Sequence, residues 1–363
     1  MIVATVVLVA GCTTSESGQR GNDPAPTTTA ASAPTTTEAV PRFDAATIAA
    51  RQHYFGEANV DAVTGAVRDD RVLLSWFGNA GFAASFNGHV VLLDAYVNRF
   101  RFAMSYTGTS PEELAALAPE VLFMGHGHGD HVGDLQTVVR ANPGITVVGT
   151  GEHCTDVEAQ LPNAEFTCTA ILPAPSAQAQ MASSSNIIPD VEITAVRHPH
   201  NGEAISRFTD PADADLVPPS EGCESPPEDP ADPPTWSTEN SELISVFYLF
   251  EIGAFSLGWQ NTVGANDVTG VTDVYRTLAP LDVLVSPTVG LARGEIRSPI
   301  ESLEPKVFVP DHHDMPCAGP NRPFIEGELA KIPANQRPDL HFLDNPRDYL
   351  RPFGWDPTAE DWQ

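Results

Sequence analysis

Basic residues are scarce in this 363-residue chain: Lys and Arg number 19 against 48 Asp and Glu, for a formal net charge of −29. Binding nucleic acid without regard to sequence needs a basic face that displaces counterions, so the balance argues against that function. It also disfavours polyanionic substrates, although a local metal site can override the global field. Cysteine is scarce too, at five residues, and none has the Cys-x-x-Cys spacing of a zinc knuckle. No Gly-x-Ser-x-Gly elbow and no Walker loop appear, which argues against covalent serine hydrolysis and nucleotide-driven work. The apolar run from Met1 to Ala10 is too short to span a bilayer. Apolar residues are plentiful, at 42% of the chain, enough for the core of one large domain or two small ones.

Against this background one stretch stands out, Val121 to Val132, reading VLFMGHGHGDHV. An apolar run that reads as a buried strand ends in glycines and then gives His126, His128, Asp130 and His131 within six residues. Imidazole and carboxylate are the ligands that a borderline dication such as zinc takes. In the His-x-His half the two imidazoles project to one side of an extended segment and suit a single ion. Asp130 and His131, at the turn into the next helix, reach a second ion a few ångströms away.

The rest of the chain reads as strands and helices around that stretch. Val72 to Phe82 and Val90 to Asp94 read as consecutive antiparallel strands, with Asn87-Gly88 as a turn. Ser110 then caps a helix that has Pro111 at its first position. A helix over Val132–Arg140 and a strand from Ile145 complete a β-β-α-β-α-β order, suited to a sheet covered by helices. Val191 to Gly202 alternates and ends in His198 and His200. Residues 203–240 are rich in proline and acid, which excludes a helix or sheet interior and suggests a lid or a surface insertion. Ser245 to Trp259 reads as a hairpin, Asn266–Ala279 as a helix, and Leu281–Thr288 and Pro305–Asp314 as strands.

The His-x-His-x-Asp-His pattern resembles the signature of the metallo-β-lactamase superfamily. Trp76-Phe-Gly-Asn-Ala-Gly-Phe82 and the closing strand at His312 are similar to its ascorbate-phosphate-lactonase-like and phospholipase-D-like branches. The resemblance covers roughly Val72 to Phe324. It implies a four-layer αββα sandwich, two mixed β-sheets flanked by helices. It also implies His126, His128 and His200 on a first ion, with His198 as the alternative to His200, and Asp130, His131 and His312 on a second. Asp94 would orient a ligand histidine or a turn amide, and His313 would lie outside the ligand set with Asp314 as its partner. Two departures stand out. Asn79 occupies the place of a family histidine. Gly258-Trp259-Gln260-Asn261-Thr262 lacks the Gly-Asp carboxylate that bridges the two ions, which implies weakened binding of the second ion, with Asp267 as a substitute only if its loop folds back.

The implied activity is metal-dependent hydrolysis of an ester, lactone or phosphodiester bond. Zinc, as one or two ions or replaced by another dication, lowers the pKa of bound water toward about 7 and so supplies a hydroxide nucleophile. Asp130 and His131 are the candidate catalytic residues, acting on a small-molecule or lipid-like substrate. The alternative is a catalytically impaired metal-binding lipoprotein. A ribonuclease of the tRNA-processing type is opposed by the charge. Val9-Ala10-Gly11-Cys12 is similar to a bacterial lipobox, with Cys12 lipidated at the membrane of the cell envelope. No Lys or Arg precedes Arg20, so the positively charged start of such a signal lies upstream or is missing. The expected division is a signal over residues 1–12, a Thr/Pro/Ala tether over 13–45 and one domain over 46–363. Four cysteines then remain, which suggests two disulfides: Cys154 with Cys168 as the local pairing and Cys223 with Cys317, among three possible connectivities.

Overall fold

Central strands buried on both faces produce the architecture. In the computed structural model the described residues are 42–97, 109–173, 181–200, 244–262, 270–288, 296–313, 322–343, 350–358 and 361–362. They belong to one compact unit, Pro41–Gln363. The signal, residues 13–41 of the expected tether, the 203–240 insertion, Cys223, Asp267, Asp314 and Cys317 lie outside them. Asp44 already caps a helix that begins at Ala45, one residue before the expected start of the domain.

The first sheet contains β1 Val72–Gly78, β2 Gly81–Phe86, β3 His89–Leu93, β4 Val121–Phe123, β5 Ile145–Thr150 and β6 Phe166–Leu172. The second contains β7 Met181–Ile188, β8 Val191–Pro199, β9 Ile244–Ile252, β10 Phe255–Gln260, β11 Val283–Pro287, β12 Val307–Asp311 and β13 Asp339–Leu340. Two late strands, β14 Phe353–Asp356 and β15 Asp361–Trp362, return to the first sheet beside β1, giving the order β15-β14-β1-β2-β3-β4-β5-β6. The second sheet runs β13-β12-β11-β10-β9-β8-β7. Both are mixed: β1 to β3 pair antiparallel and β3 to β6 parallel, whereas β7 to β10 pair antiparallel and β10 to β13 parallel.

Side chains alternate across a strand, so each sheet has two faces to cover. Val72, Leu74 and Trp76 of β1 face inward, joining Ile193, Tyr248, Phe250 and Trp259 of the second sheet in one buried layer. Leu73 and Phe77 point the other way, into a second core with Tyr54, Leu114, Leu135 and Val157. These come from helices α1 Ala45–Phe55, α2 Pro111–Ala116, α4 Leu135–Ala141 and α5 Gly151–Gln160, with a short α3 at Gly129–Val132. Phe247, Leu284 and Phe308 form the outer core of the second sheet. They pack on α6 Val271–Leu278, α7 Arg297–Leu303 and α8 Arg322–Leu329. Three cores between four layers give the αββα sandwich. Trp76 and Trp259 are both fully buried between the sheets, where truncation to Ala typically costs about 3–5 kcal/mol.

Local signals agree with the sequence at several points. The Ser110 side chain accepts from Glu113 N–H with Pro111 at the first helical position. The Ser245–Trp259 hairpin is β9 with β10. Cys154 and Cys168 are joined by a disulfide, the local pairing expected. The helix expected over Val132–Arg140 needs correcting, because it is broken after α3 and resumes at Leu135. Asp134 breaks it: its N–H donates to Ala95 O at 2.8 Å and its Oδ2 accepts from Val97 N–H at 2.8 Å. Both bonds tie the residue to the exit of β3. Of the helix expected over Asn266–Ala279, Val271–Leu278 lies among the described residues.

Candidate metal centre

Strands β1, β3, β4, β8, β10 and β12 finish at one rim of the sandwich, and the residues just beyond them meet there. At Gly125 the backbone is held by both sheets: its N–H donates to Asp94 Oδ1 at 2.8 Å and its carbonyl accepts from Val246 N–H at 2.8 Å. The chain then delivers His126 and His128 and turns into α3. The first turn of α3 carries Asp130 and His131, and His131 N–H and Val132 N–H both donate to His128 O at 3.0 Å.

The candidate donors fall into two adjoining clusters. In the first, donor atoms of His126, His128 and His200 lie within 4.8 Å of one another. His126 Nε2 and His128 Nδ1 are 3.2 Å apart. The ring of His200 is centred 4.8 Å from that of His126 and 4.5 Å from that of His128. In the second, His312 Nε2 is 3.3 Å from His131 Nε2 and 3.4 Å from Asp130 Oδ2, and the last two atoms are 3.8 Å apart. His126, Asp130 and His131 themselves fall within 4.8 Å, so the clusters abut. His200, rather than His198, joins His126 and His128; His198 is buried near the end of β8 opposite Ser245. His313 faces away, stacked between Trp76 at 4.7 Å and Phe342 at 4.3 Å.

Hydrogen bonds behind the rings fix which nitrogens face the centre. Asp94 Oδ2 accepts from His131 Nδ1–H at 2.7 Å, leaving Nε2 directed at Asp130 and His312. Asn261 is fully buried between the clusters. Its Nδ2–H donates to Asp94 Oδ2, and its Oδ1 accepts from His126 Nδ1–H. Because Asp94 has only acceptors, the amide nitrogen must turn toward it, and the amide oxygen is left for His126. Asn261 fits there only because residue 125 is glycine, since a Cβ on Gly125 would overlap its side chain. Trp259 is therefore not the residue that replaces the expected carboxylate. It stacks on Tyr248 at 5.9 Å in the inter-sheet core, and Gln260 Nε2 donates to Thr262 O at 3.0 Å.

Asn79, at the exit of β1, braces the second cluster. Its Nδ2–H donates to Asp130 O at 2.8 Å, and its own carbonyl accepts from His312 N–H at 2.8 Å and from Trp76 Nε1–H at 2.8 Å. Asn79, Asp94 and His312 all hold positive φ, of 48°, 59° and 56°. That conformation is costly for residues other than glycine and is kept where the surroundings determine it.

Burial and charge set the protonation states. Burial, then the neighbouring His131 and His200, pushes His126 well below the ordinary imidazole value. His200 is pushed down to about 3 by burial and by the imidazoles of His128, His131 and His198. Both present neutral lone pairs at neutral pH. For His131, burial opposes protonation, but the carboxylates of Asp130 and Asp94 outweigh it and raise the ring above its ordinary value. Burial would likewise raise Asp130, but His131, His312 and His128 around it win and hold the carboxyl below the usual range.

No family model matches the chain. It is 23% identical over 303 residues to a UPF0173 metal-dependent hydrolase of Polynucleobacter asymbioticus, covering 80% of this chain and 88% of that one. The chain is similar to metal-dependent hydrolases. A second such protein, from Pyrobaculum neutrophilum, is 31% identical over 93 residues, 25% of this chain; the match spans 39% of that relative's length. Among solved structures, a metallo hydrolase from the archaeon Ignicoccus hospitalis matches with a TM-score of 0.47 at 13% identity, over 76% of this chain and 95% of that one.

Asn261 was visible in the sequence only as part of a departure. Its signal is a polar residue just past the open end of a largely apolar hairpin, at the rim where the histidines arrive. The bracing role of Asn79 had no comparable signal, because it runs partly through the backbone.

Proposed function

We propose that the chain is a hydrolase of ester, lactone or phosphodiester bonds that works with zinc or a similar dication, held by His126, His128 and His200 and by Asp130, His131 and His312. The observation that carries this reading is the convergence of six donors from three separate parts of the chain on one rim. Their spacing fits the group. Ligands about 2.0–2.2 Å from zinc at tetrahedral angles stand roughly 3.3–3.5 Å apart, and the donor separations given above include 3.2, 3.3 and 3.4 Å. His200 Nδ1 is buried and without a hydrogen-bond partner among the described residues. A buried polar atom in that state calls for a ligand.

A bound dication would supply an acidified water and polarise the substrate oxygen. The protein's own part is positioning. Asp94 holds His131 in the tautomer that offers Nε2, and Asn261 does the same for His126. Asp130, whose carboxyl is held below the usual range, would hold a dication beside His131 and His312 or, where no second ion engages it, would accept a hydrogen bond from a water and orient it toward the substrate. The net charge of −29 favours neutral or lipid-like substrates over polyanions. We also propose lipidation at Cys12, on the strength of the Val9–Cys12 sequence, with a tether that keeps the domain at the membrane surface.

The test joins elemental analysis of purified protein with turnover on a panel of esters, lactones and phosphodiesters. At least one equivalent of transition metal is expected, with activity on one class that disappears in His128→Ala. Protein free of metal and inert across the panel would sink the reading.

A further inference from the structure

We propose that Asn261 is a positioning residue. It ties the two donor clusters together by hydrogen bonds rather than by charge, so the metal-free site is already assembled and its two cation positions differ in affinity. This rests on the reading of the rim as a metal centre and goes beyond it.

The argument begins with the contacts. One amide reaches both clusters: its oxygen accepts from His126 Nδ1–H, its nitrogen donates to Asp94 Oδ2, and Asp94 in turn holds His131. Asn261 Nδ2 is also 3.1 Å from His131 Nδ1. The side chain is fully buried, and Gly125 leaves room for it. A carboxylate of the same shape would do the reverse on both counts. It would face Asp94 across a hydrogen-bond distance with no proton between them, so without metal it repels the residue that holds His131. It would also add a negative charge between two cation positions.

Charge then decides how the positions behave. Two dications repel with four times the energy of two unit charges at the same distance. The His126, His128 and His200 cluster contains no carboxylate. The second cluster brings Asp130, with Asp94 behind His131. A neutral amide between them offsets the repulsion at their boundary less than a carboxylate in the same place would, so filling one position weakens the other. Asn261 therefore gives up affinity for a second cation in exchange for a site that holds its shape without any.

Cobalt(II) tests this, because its d–d absorption reports coordination directly and does not depend on turnover. Metal-free full-length protein would be titrated with Co(II) alongside Asn261→Asp and Asn261→Ala, and the metal-free melting temperatures compared. The unaltered chain is expected to saturate in two phases, the first equivalent at least tenfold tighter than the second. Asn261→Asp should bring the phases together and lower the metal-free melting temperature, with the loss recovered on adding cobalt. Asn261→Ala, which removes the tie without adding charge, should keep two phases and weaken the first by about 10–100-fold. Two equal equivalents in the unaltered chain, or an Asn261→Asp protein unchanged in both phases and melting, would overturn the role of Asn261. Absence of cobalt binding by the unaltered chain would instead overturn the metal centre itself.

Discussion

The two clusters at the rim use similar side chains in opposite electrostatic settings. In the first cluster, protonation of His126 and His200 is resisted by burial and by the neighbouring imidazoles. His131 stands instead between the carboxylates of Asp130 and Asp94, which favour its protonated form, and the same carboxylates favour a cation beside His131 and His312. One neighbourhood makes a histidine harder to protonate than in water and the other makes it easier. Ring chemistry alone therefore does not set the working state of these ligands; the carboxylates around them do.

The most severe way to break the comparison is to remove what the clusters share. Gly125→Ala puts a methyl group where Asn261 sits, and that side chain has nowhere to go because it is fully buried. Overpacking of this kind costs about 1–3 kcal/mol, and losing the two amide hydrogen bonds adds about 1–3 kcal/mol for groups left unpaired. Thermal unfolding should fall accordingly, and metal content should drop in both clusters. A variant that melts and binds metal like the parent would show that Asn261 does not tie the clusters. A cleaner separation comes from Asp130→Asn against His128→Gln. Each removes a donor, but only the first also removes a charge. Cation affinity should fall by roughly 100-fold or more for Asp130→Asn and less for His128→Gln, beyond the ~10–100-fold of a supporting residue. Turnover should fall by more than about 100-fold in both, because the metal contributes several kcal/mol to the transition state. Equal affinity losses would mean that the carboxylate adds nothing beyond its donor atom.

How much of this was legible in the sequence follows from how local each part is. His126, His128, Asp130 and His131 lie within six residues, so their chemistry is written in one stretch. His200 and His312 come from distant strand ends and were placed only by resemblance, with His198 left open. Alternation cannot choose between two histidines two residues apart; β8 ends at Pro199, so His198 stays in the strand and His200 lies just beyond it. The strands of both hairpins were readable because they are buried on both faces, which leaves short apolar runs bounded by turn residues. The break at Gly133 and Asp134 was not. Helix periodicity continues through it, and what ends the helix is a pair of hydrogen bonds to the exit of β3, a partner far away in sequence. Strands β14 and β15 complete the first sheet from the far C-terminal end, a closure that no local pattern announces.

Asp94→Asn sharpens the comparison more gently. The carboxylate accepts from Gly125 N–H, His131 Nδ1–H and Asn261 Nδ2–H. An amide of the same shape brings two donors into that nest of donors. A cost of about 1–3 kcal/mol is expected, with cation affinity lowered about 10–100-fold in the His131 cluster. The His126 cluster should lose less, and site-resolved cobalt spectra would show whether the loss is shared equally.

The mildest test is pH, and it separates the clusters without any mutation. A proton and a cation compete for the same lone pair. His131, raised above the ordinary ~6.5, takes its proton first as pH falls, so the second cluster should release its cation at a higher pH than the first. His200, depressed to about 3, keeps its lone pair far below that. The metal-free protein gives the matching stability curve. A raised folded value, as for His131, contributes stability that is present below ~6.5 and lost as pH rises through the folded value. Depressed values, as for His126 and His200, work the other way: stability is present above ~6.5 and declines as pH falls toward the folded values, because the unfolded chain takes up the protons. Two depressed imidazoles against one raised one predict a net loss of stability on acidification from ~6.5. His200→Gln should reduce that pH slope by about one proton. Chelated protein melted at stepped pH from 7 to 4 would measure it. A slope that is unchanged in His200→Gln would show that this imidazole is already protonated in the folded chain, and the neutral cluster would lose the property that distinguishes it from its neighbour.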